Sequence, residues 1–153
     1  MDHGPESPDV TKILHWIAYE RDAAWTAKLA ILRASSREDV RHFGACLREH
    51  DRHADELTAL ARATDRGVEL PKEACFVTGD PFVVSAIGNG AALVDAREHL
   101  EAVRIDRYIS RRPTVTDEPL SMLDGLLDRH LADTRARLDR FRGLRGWRRD
   151  QAA

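Results

Sequence analysis

Cysteine is scarce in this chain. Only Cys46 and Cys75 occur, too few for a disulfide framework, and their separation matches no zinc-binding pattern. Six prolines and nine glycines in 153 residues leave long stretches free of helix breakers and exclude collagen-like or low-complexity architectures. No apolar run approaches the roughly 18 residues that a membrane span needs. Charge of neither sign dominates: 24 basic residues face 26 acidic ones, for a net charge of −2, so no global field draws the chain to nucleic acid or a membrane surface. The opening Met-Asp-His-Gly-Pro-Glu-Ser-Pro has neither the basic nor the apolar region of a secretory signal, and the expectation is a cytoplasmic protein with no membrane partner. No Gly-Lys-Ser/Thr follows Gly88-Asn89-Gly90, which excludes a phosphate loop, and no Ser/His/Asp spacing stands out.

What is abundant is helical patterning, with 42% hydrophobic and 33% charged residues and a length that fits one domain with a substantial core. Ser7-Pro8-Asp9 reads as a helix start, with serine at the N-cap and proline at the first helical position. The periodicity predicts helix A over about 8–34. Ser35-Ser36 with acids three residues later forms a capping box that opens helix B over about 36–65, antiparallel to A. Gly67 and Pro71 then open a linker that either crosses the length of a bundle or meanders. Asp80-Pro81 starts helix C over about 81–112, with Gly88-Asn89-Gly90 as its weak point, and helix D follows over about 117–142. The tail 143–153 is expected to be disordered or frayed. These elements predict an all-α fold, an antiparallel four-helix bundle.

Each predicted apolar stripe is interrupted by an ionisable residue. On helix A the stripe Ile13, Ile17, Ala24, Ala27, Ile31 has Glu20 at its middle; on helix B the stripe Val40, Phe43, Leu47, Ala54, Leu57, Ala61 has His50, with His53 at its edge. On helix C, Glu98 and Glu101 stand between Ile87, Ala91, Val94, Ile105 and Tyr108. On helix D, His130 flanks Leu120, Leu123, Leu127, Leu131, Thr134, Leu138 and Phe141. Glu20 and His50 are equally distant from the A/B turn near residue 35, and Glu98, Glu101 and His130 are at matching distances from a C/D turn near residue 115. All therefore lie at one height in antiparallel hairpins. Three carboxylates cannot all ionise in an apolar core without cations. The layer reads as a metal site or as a buried polar network, and mixed carboxylate and imidazole ligation suits iron, manganese or zinc.

Val40-x-x-Phe43, Glu49-His50, Glu56-Leu57-x-x-Leu60-Ala61 and Pro71 resemble the second helix and linker of an uncharacterised bacterial branch of the ferritin-like superfamily, the group that includes the rubrerythrins. The resemblance covers the first two helices with specificity and the last two by pattern. It implies Glu20 as the first-helix glutamate and His50 and His53 at the second helix's Glu-x-x-His. Glu98 or Glu101 stands for the third-helix glutamate, and His130 for the histidine of the fourth. Where the family has bridging glutamates this chain has His50 and Leu127, so a single ion, an altered dinuclear site and a metal-free remnant are the alternatives.

The implied function is a metal-binding protein, a non-haem iron oxidoreductase or a metal handler. The alternative is a metal-free structural or interaction bundle whose polar layer fixes register. A second stripe on helix A, containing Trp25, Leu29 and Leu32, is read either as the seat of a homo-oligomer partner or as an ordinary wide core face. Seven arginines between Arg135 and Arg149 are diluted by aspartates and suit a helix C-terminus, which favours a solvated face over nucleic-acid binding.

Overall fold

The structure is a computed structural model describing residues 8–71, 74, 76–87, 90–111 and 118–152. Ser7, Cys75, Gly88-Asn89 and the C/D turn at 112–117 lie outside the described residues. Five helices follow one another: α1 (Pro8–Arg33), α2 (Arg37–Thr64), α3 (Asp80–Ala86), α4 (Ala91–Arg111) and α5 (Glu118–Ala152), with no strand among the described residues. The fold is all-α, and no described helix is long and apolar enough to cross a membrane.

The turn between α1 and α2 forms as its sequence dictates. Ser36 adopts an extended backbone and its hydroxyl accepts the Asp39 N–H at 3.1 Å, with Glu38 and Asp39 in the first turn complementing the helix dipole. Cross-helix contacts fix the chain directions. Ile13, Trp16 and Ile17 of α1 cluster with Leu57, Leu60 and Ala61 of α2, while Ala27 and Ala30 cluster with Phe43 and Cys46, so α1 and α2 are antiparallel. His53 meets Asp133 while Glu49 meets Arg137, so α2 and α5 are antiparallel too. Glu101 meets Arg137 while Tyr108 lies beside His130, which sets α4 against α5. α1 and α5 run one way, α2 and α4 the other, and Gly90 arrives beside Ser35 at the α1–α2 turn. Of the two routes open to the linker, the chain takes the crossing one.

That crossing explains why α1 is buried on nearly every side. The buried Asp22 carboxylate accepts the Phe76 N–H at 2.8 Å and the Thr78 N–H at 2.9 Å, tying the linker to the middle of α1, and α3 packs onto the same helix. The second stripe expected on α1 is divided accordingly. Leu29 packs against a core cluster, whereas Trp25 is 40% and Leu32 81% exposed.

The core forms two clusters. One joins Ile13, Trp16, Ile17 and Tyr19 of α1 to Leu57 and Leu60 of α2, Tyr108 of α4, and Leu123 and Leu127 of α5. The other joins Ala27, Ala30, Phe43, Cys46, Val84, Leu93, Val94, Leu100 and Phe141. The polar layer lies between them along the helices.

Three expectations are corrected. Helix C is two helices: Ile87 ends α3 in an extended conformation, and Gly90 takes φ +73°, open to glycine at little cost, before α4 begins. The buried face of α4 is rotated from the expected stripe, because Leu93, Arg97, Leu100 and Arg104 face inward while Glu98 and Ile105 are half-buried. Helix α5 does not end near residue 142 but continues to Ala152; arginine is a good helix former and the helix C-terminus favours cations, which offsets Gly143 and Gly146.

Two predictions follow from this packing. Asp22→Ala removes the acceptor of two backbone N–H groups and should cost about 2–4 kcal/mol in urea unfolding, with faster proteolysis between residues 65 and 90; Asp22→Asn should lose about half as much. His42 packs edge-on against Phe141 with ring centroids 4.0 Å apart, and burial together with Arg140 and Arg97 pushes its pKa down to about 4. Because the neutral ring is favoured by folding, this contribution is fully present above about pH 6.5 and is lost as pH falls toward 4. Wild type should lose about 1–2 kcal/mol more than His42→Gln between pH 7 and pH 4.5, its partial exposure limiting the effect.

Candidate metal centre

Glu20 is fully buried in the middle of α1, where Ala23 and Ala24 leave room beside it. An ionised carboxylate there needs polar partners from the protein, and three groups surround it. His50 and His53, one turn apart on α2, direct Nδ1 toward the same oxygen: His50 Nδ1 lies 2.7 Å and His53 Nδ1 3.5 Å from Glu20 Oε2. The Tyr108 hydroxyl of α4 donates to the other oxygen, Oε1. Burial alone would raise the Glu20 pKa, but hydrogen bonding and charge from His50 and His53 hold it well below the usual carboxylate range. Burial and the Glu20 charge conversely push the Tyr108 hydroxyl well up, so it stays a donor.

The second nitrogen of each histidine distinguishes their roles. With Nδ1–H of His50 donating to ionised Glu20, its Nε2 has no hydrogen-bond partner and stands 4.0 Å from Glu101 Oε1. Burial lowers the His50 pKa despite Glu20, which keeps that nitrogen a free lone pair. His53 Nε2 is 2.8 Å from Asp133 Oδ2, while its Nδ1 makes no hydrogen bond. Burial opposes its protonation, yet the carboxylates of Glu20 and Asp133 on either side raise its pKa overall. His130 stacks on His53 with centroids 3.7 Å apart and gives Nε2 to Glu56 Oε2 at 3.0 Å. Burial and the His53 charge lower its pKa, so the stack takes up a proton on His53 ahead of His130. Toward solvent, Arg52 closes the cluster by pairing with Asp133 at 2.6 Å and Glu56 at 2.8 Å.

Glu101 lies in a different setting. Three fully buried arginines converge on it: Arg97 at 3.0 Å and Arg104 at 3.6 Å reach Oε1, and Arg137 reaches Oε2 at 2.8 Å. Arg104 also pairs with Asp80 at 2.9 Å, and Arg137 with Glu49. Three guanidinium groups thus match three carboxylates, and Glu101 is already committed to cations. Glu98 is one turn away, facing Arg142 at 3.4 Å.

The structure therefore brings together Glu20, His50 and His53, places His130 in stacking contact with His53, sets Glu101 beside them in an arginine cage, and leaves Glu98 apart. Tyr108, Asp133, Glu56 and the arginines were missed by the sequence reading. A signal for Arg97 and Arg104 existed, since they share one helical face with Leu93 and Leu100, but arginine scores as a surface residue.

Glu20, His50 and His53 each offer a ligand atom within 4.8 Å of the others. Ligand atoms around a four-coordinate transition ion stand about 3.3 Å apart, given metal–nitrogen and metal–oxygen distances of about 2.0–2.1 Å. The His53–Glu20 spacing already fits, and His50 Nδ1 fits once its contact with Glu20 widens by about half an ångström and its proton passes to Nε2, which faces Glu101. Asp133 on His53 Nε2 is the outer carboxylate that fixes a ligating imidazole's tautomer. A second trio, Glu49, His53 and Asp133, has the same spacing, but Arg137 and Arg52 occupy its carboxylates and repel a cation. Comparison with family models, curated proteins and solved structures gave no match, so the reading of this site stands on its geometry.

The arginine cage yields an asymmetric expectation. Glu101→Gln leaves buried guanidinium charges underpaired and should cost about 3–5 kcal/mol in urea unfolding. Arg97→Met leaves Glu101 its two other arginines and should cost less than about 1.5 kcal/mol.

Proposed function

We propose that the protein is a metal-binding helical bundle of ferritin-like character, holding one divalent transition ion, iron or alternatively manganese or zinc, on Glu20, His50 and His53. The observation that carries this reading is the convergence of two imidazole nitrogens on one buried carboxylate oxygen, with two ring nitrogens, His50 Nε2 and His53 Nδ1, lacking any hydrogen-bond partner. The chain directions support the ferritin-like arrangement, because a long crossing connection between two antiparallel hairpins is one way such bundles are built. Two nitrogens and one oxygen suit a borderline ion more than calcium or magnesium.

A bound transition ion supplies Lewis acidity or redox chemistry at an open position. The chain's own groups set its surroundings. Tyr108 holds Glu20 from the side away from the histidines and keeps its second oxygen occupied. His130 covers the face of His53, and Asp133 holds the Nε2 proton of His53, so that Nδ1 is the nitrogen offered inward. The commitment of Glu101 to arginines and the separation of Glu98 favour one ion over a carboxylate-bridged pair.

A metal-free interaction bundle is the second reading, favoured by the raised His53 pKa: an imidazolium between Glu20 and Asp133 satisfies both carboxylates without an ion. In that reading the exposed Trp25 and Leu32 of α1 are the remaining candidates for contact with another copy.

Elemental analysis of the chain expressed in medium supplemented with iron, manganese and zinc separates the two. Near-stoichiometric metal is expected in wild type and in Glu98→Ala, and its loss by at least tenfold in His50→Ala and Glu20→Gln. Metal-free wild type after both expression and reconstitution would sink the metal reading and leave the polar network.

A further inference from the structure

Away from the Glu20 site, the crossing linker and α1 enclose a groove of about 410 Å³, within the size range of small-molecule sites. Its walls carry two large aromatic side chains. Trp25 comes from α1, and Phe76, half exposed, comes from the linker, braced by Phe82 at 5.6 Å between ring centroids. Ala24 keeps the space between them open, and the Lys28 ammonium stands 5.9 Å from the Trp25 ring.

Phe76 is the one described residue other than glycine with positive φ, at +52°. A bulky side chain in that region is strained, and glycine or asparagine would hold the same turn at less cost. The strain is imposed by Asp22, whose buried carboxylate fixes the N–H groups of Phe76 and Thr78. The chain thus holds an exposed aromatic ring in an unfavourable backbone conformation at the mouth of a groove, a combination that core packing does not require.

The groove's charges define what fits it. Arg21 reaches Asp51 and Asp55 only loosely, at 3.6 Å each, and its Nε is buried without a hydrogen-bond partner. Among the described lining residues Arg21 and Lys28 set two positive charges against Asp51, and Asp55, 76% exposed, reaches Arg21 from outside the lining. We propose that this groove binds a small planar aromatic monoanion of the aryl carboxylate class, its ring between Trp25 and Phe76 and its carboxylate on Arg21 and Lys28. Offset stacking supplies the ring contacts, and the guanidinium fork matches a carboxylate.

The test uses 1-naphthoate and its uncharged analogue 1-naphthalenemethanol on the full chain, following the Trp25 indole N–H by NMR, with Trp25→Phe for its assignment. A saturable shift with naphthoate is expected, with the neutral analogue at least about tenfold weaker and Lys28→Gln about fivefold weaker. Phe76→Gly is decisive, because it relieves the positive φ: thermal stability should hold or rise while affinity falls at least about tenfold. Absence of a saturable shift, equal binding of the neutral compound, or unchanged affinity in Phe76→Gly would each overturn the proposal. A Trp25 shift that depends on protein concentration and not on naphthoate would assign the face to self-association instead. Metal content of the same variants should equal wild type, so this result stands apart from that at Glu20.

Discussion

A carboxylate with no access to water must be answered from within the protein, and Glu20 sets that demand at the centre of the chain. Its answers come from three directions: two imidazoles from α2 and a hydroxyl from α4. These partners must lie level with it, which fixes the register of α1 against α2 and of both against α4. Asp133 and Glu56 extend the same requirement to α5 through His53 and His130. The aliphatic clusters above and below supply most of the driving force, but hydrophobic contact is non-directional. The polar layer selects one alignment among those the apolar faces would tolerate.

The second charged cluster obeys a different logic. Around Glu101 the cations outnumber the anions locally, and balance is restored only by Asp80 and Glu49 at the edges. Each guanidinium carries a long apolar stem, so arginine can fill core volume as well as carry charge. Beside it the histidine layer has the opposite composition, two buried rings around one buried anion. An ionised Glu101 therefore does not compete for the imidazoles, and the two layers stay chemically separate despite the 4.0 Å between His50 and Glu101.

Much of the helix pattern was legible because it rests on local chemistry. The Ser36 cap, the start of α1 and the heights of Glu20, His50 and His53 follow from residue type and spacing alone. What was not legible depends on rotation of a helix about its axis. The face of α4 was read from its aliphatic residues, which put Glu98 inward; the true face includes Arg97 and Arg104, whose burial only the neighbouring carboxylates make affordable. His130 was placed on a flank for the same reason, since its ring is covered by His53 from another helix. Asp22 carries no local sign of its role, because its partners are backbone groups 54 and 56 residues away. The extension of α5 was hidden by two glycines that a run of helix-forming arginines outweighs.

The crossing linker has a consequence for how the chain reaches this state. Each hairpin is stitched by contacts close in sequence, but Tyr108 lies 88 residues from Glu20, and His53 lies 80 from Asp133. Closing such distances is entropically costly and slow compared with zipping a hairpin. The contacts of Tyr108 with Glu20 and of His53 with Asp133 are therefore the seam where the two hairpins meet, whereas His50 reaches Glu20 within the first. The former report docking of the halves, and the latter the first hairpin alone.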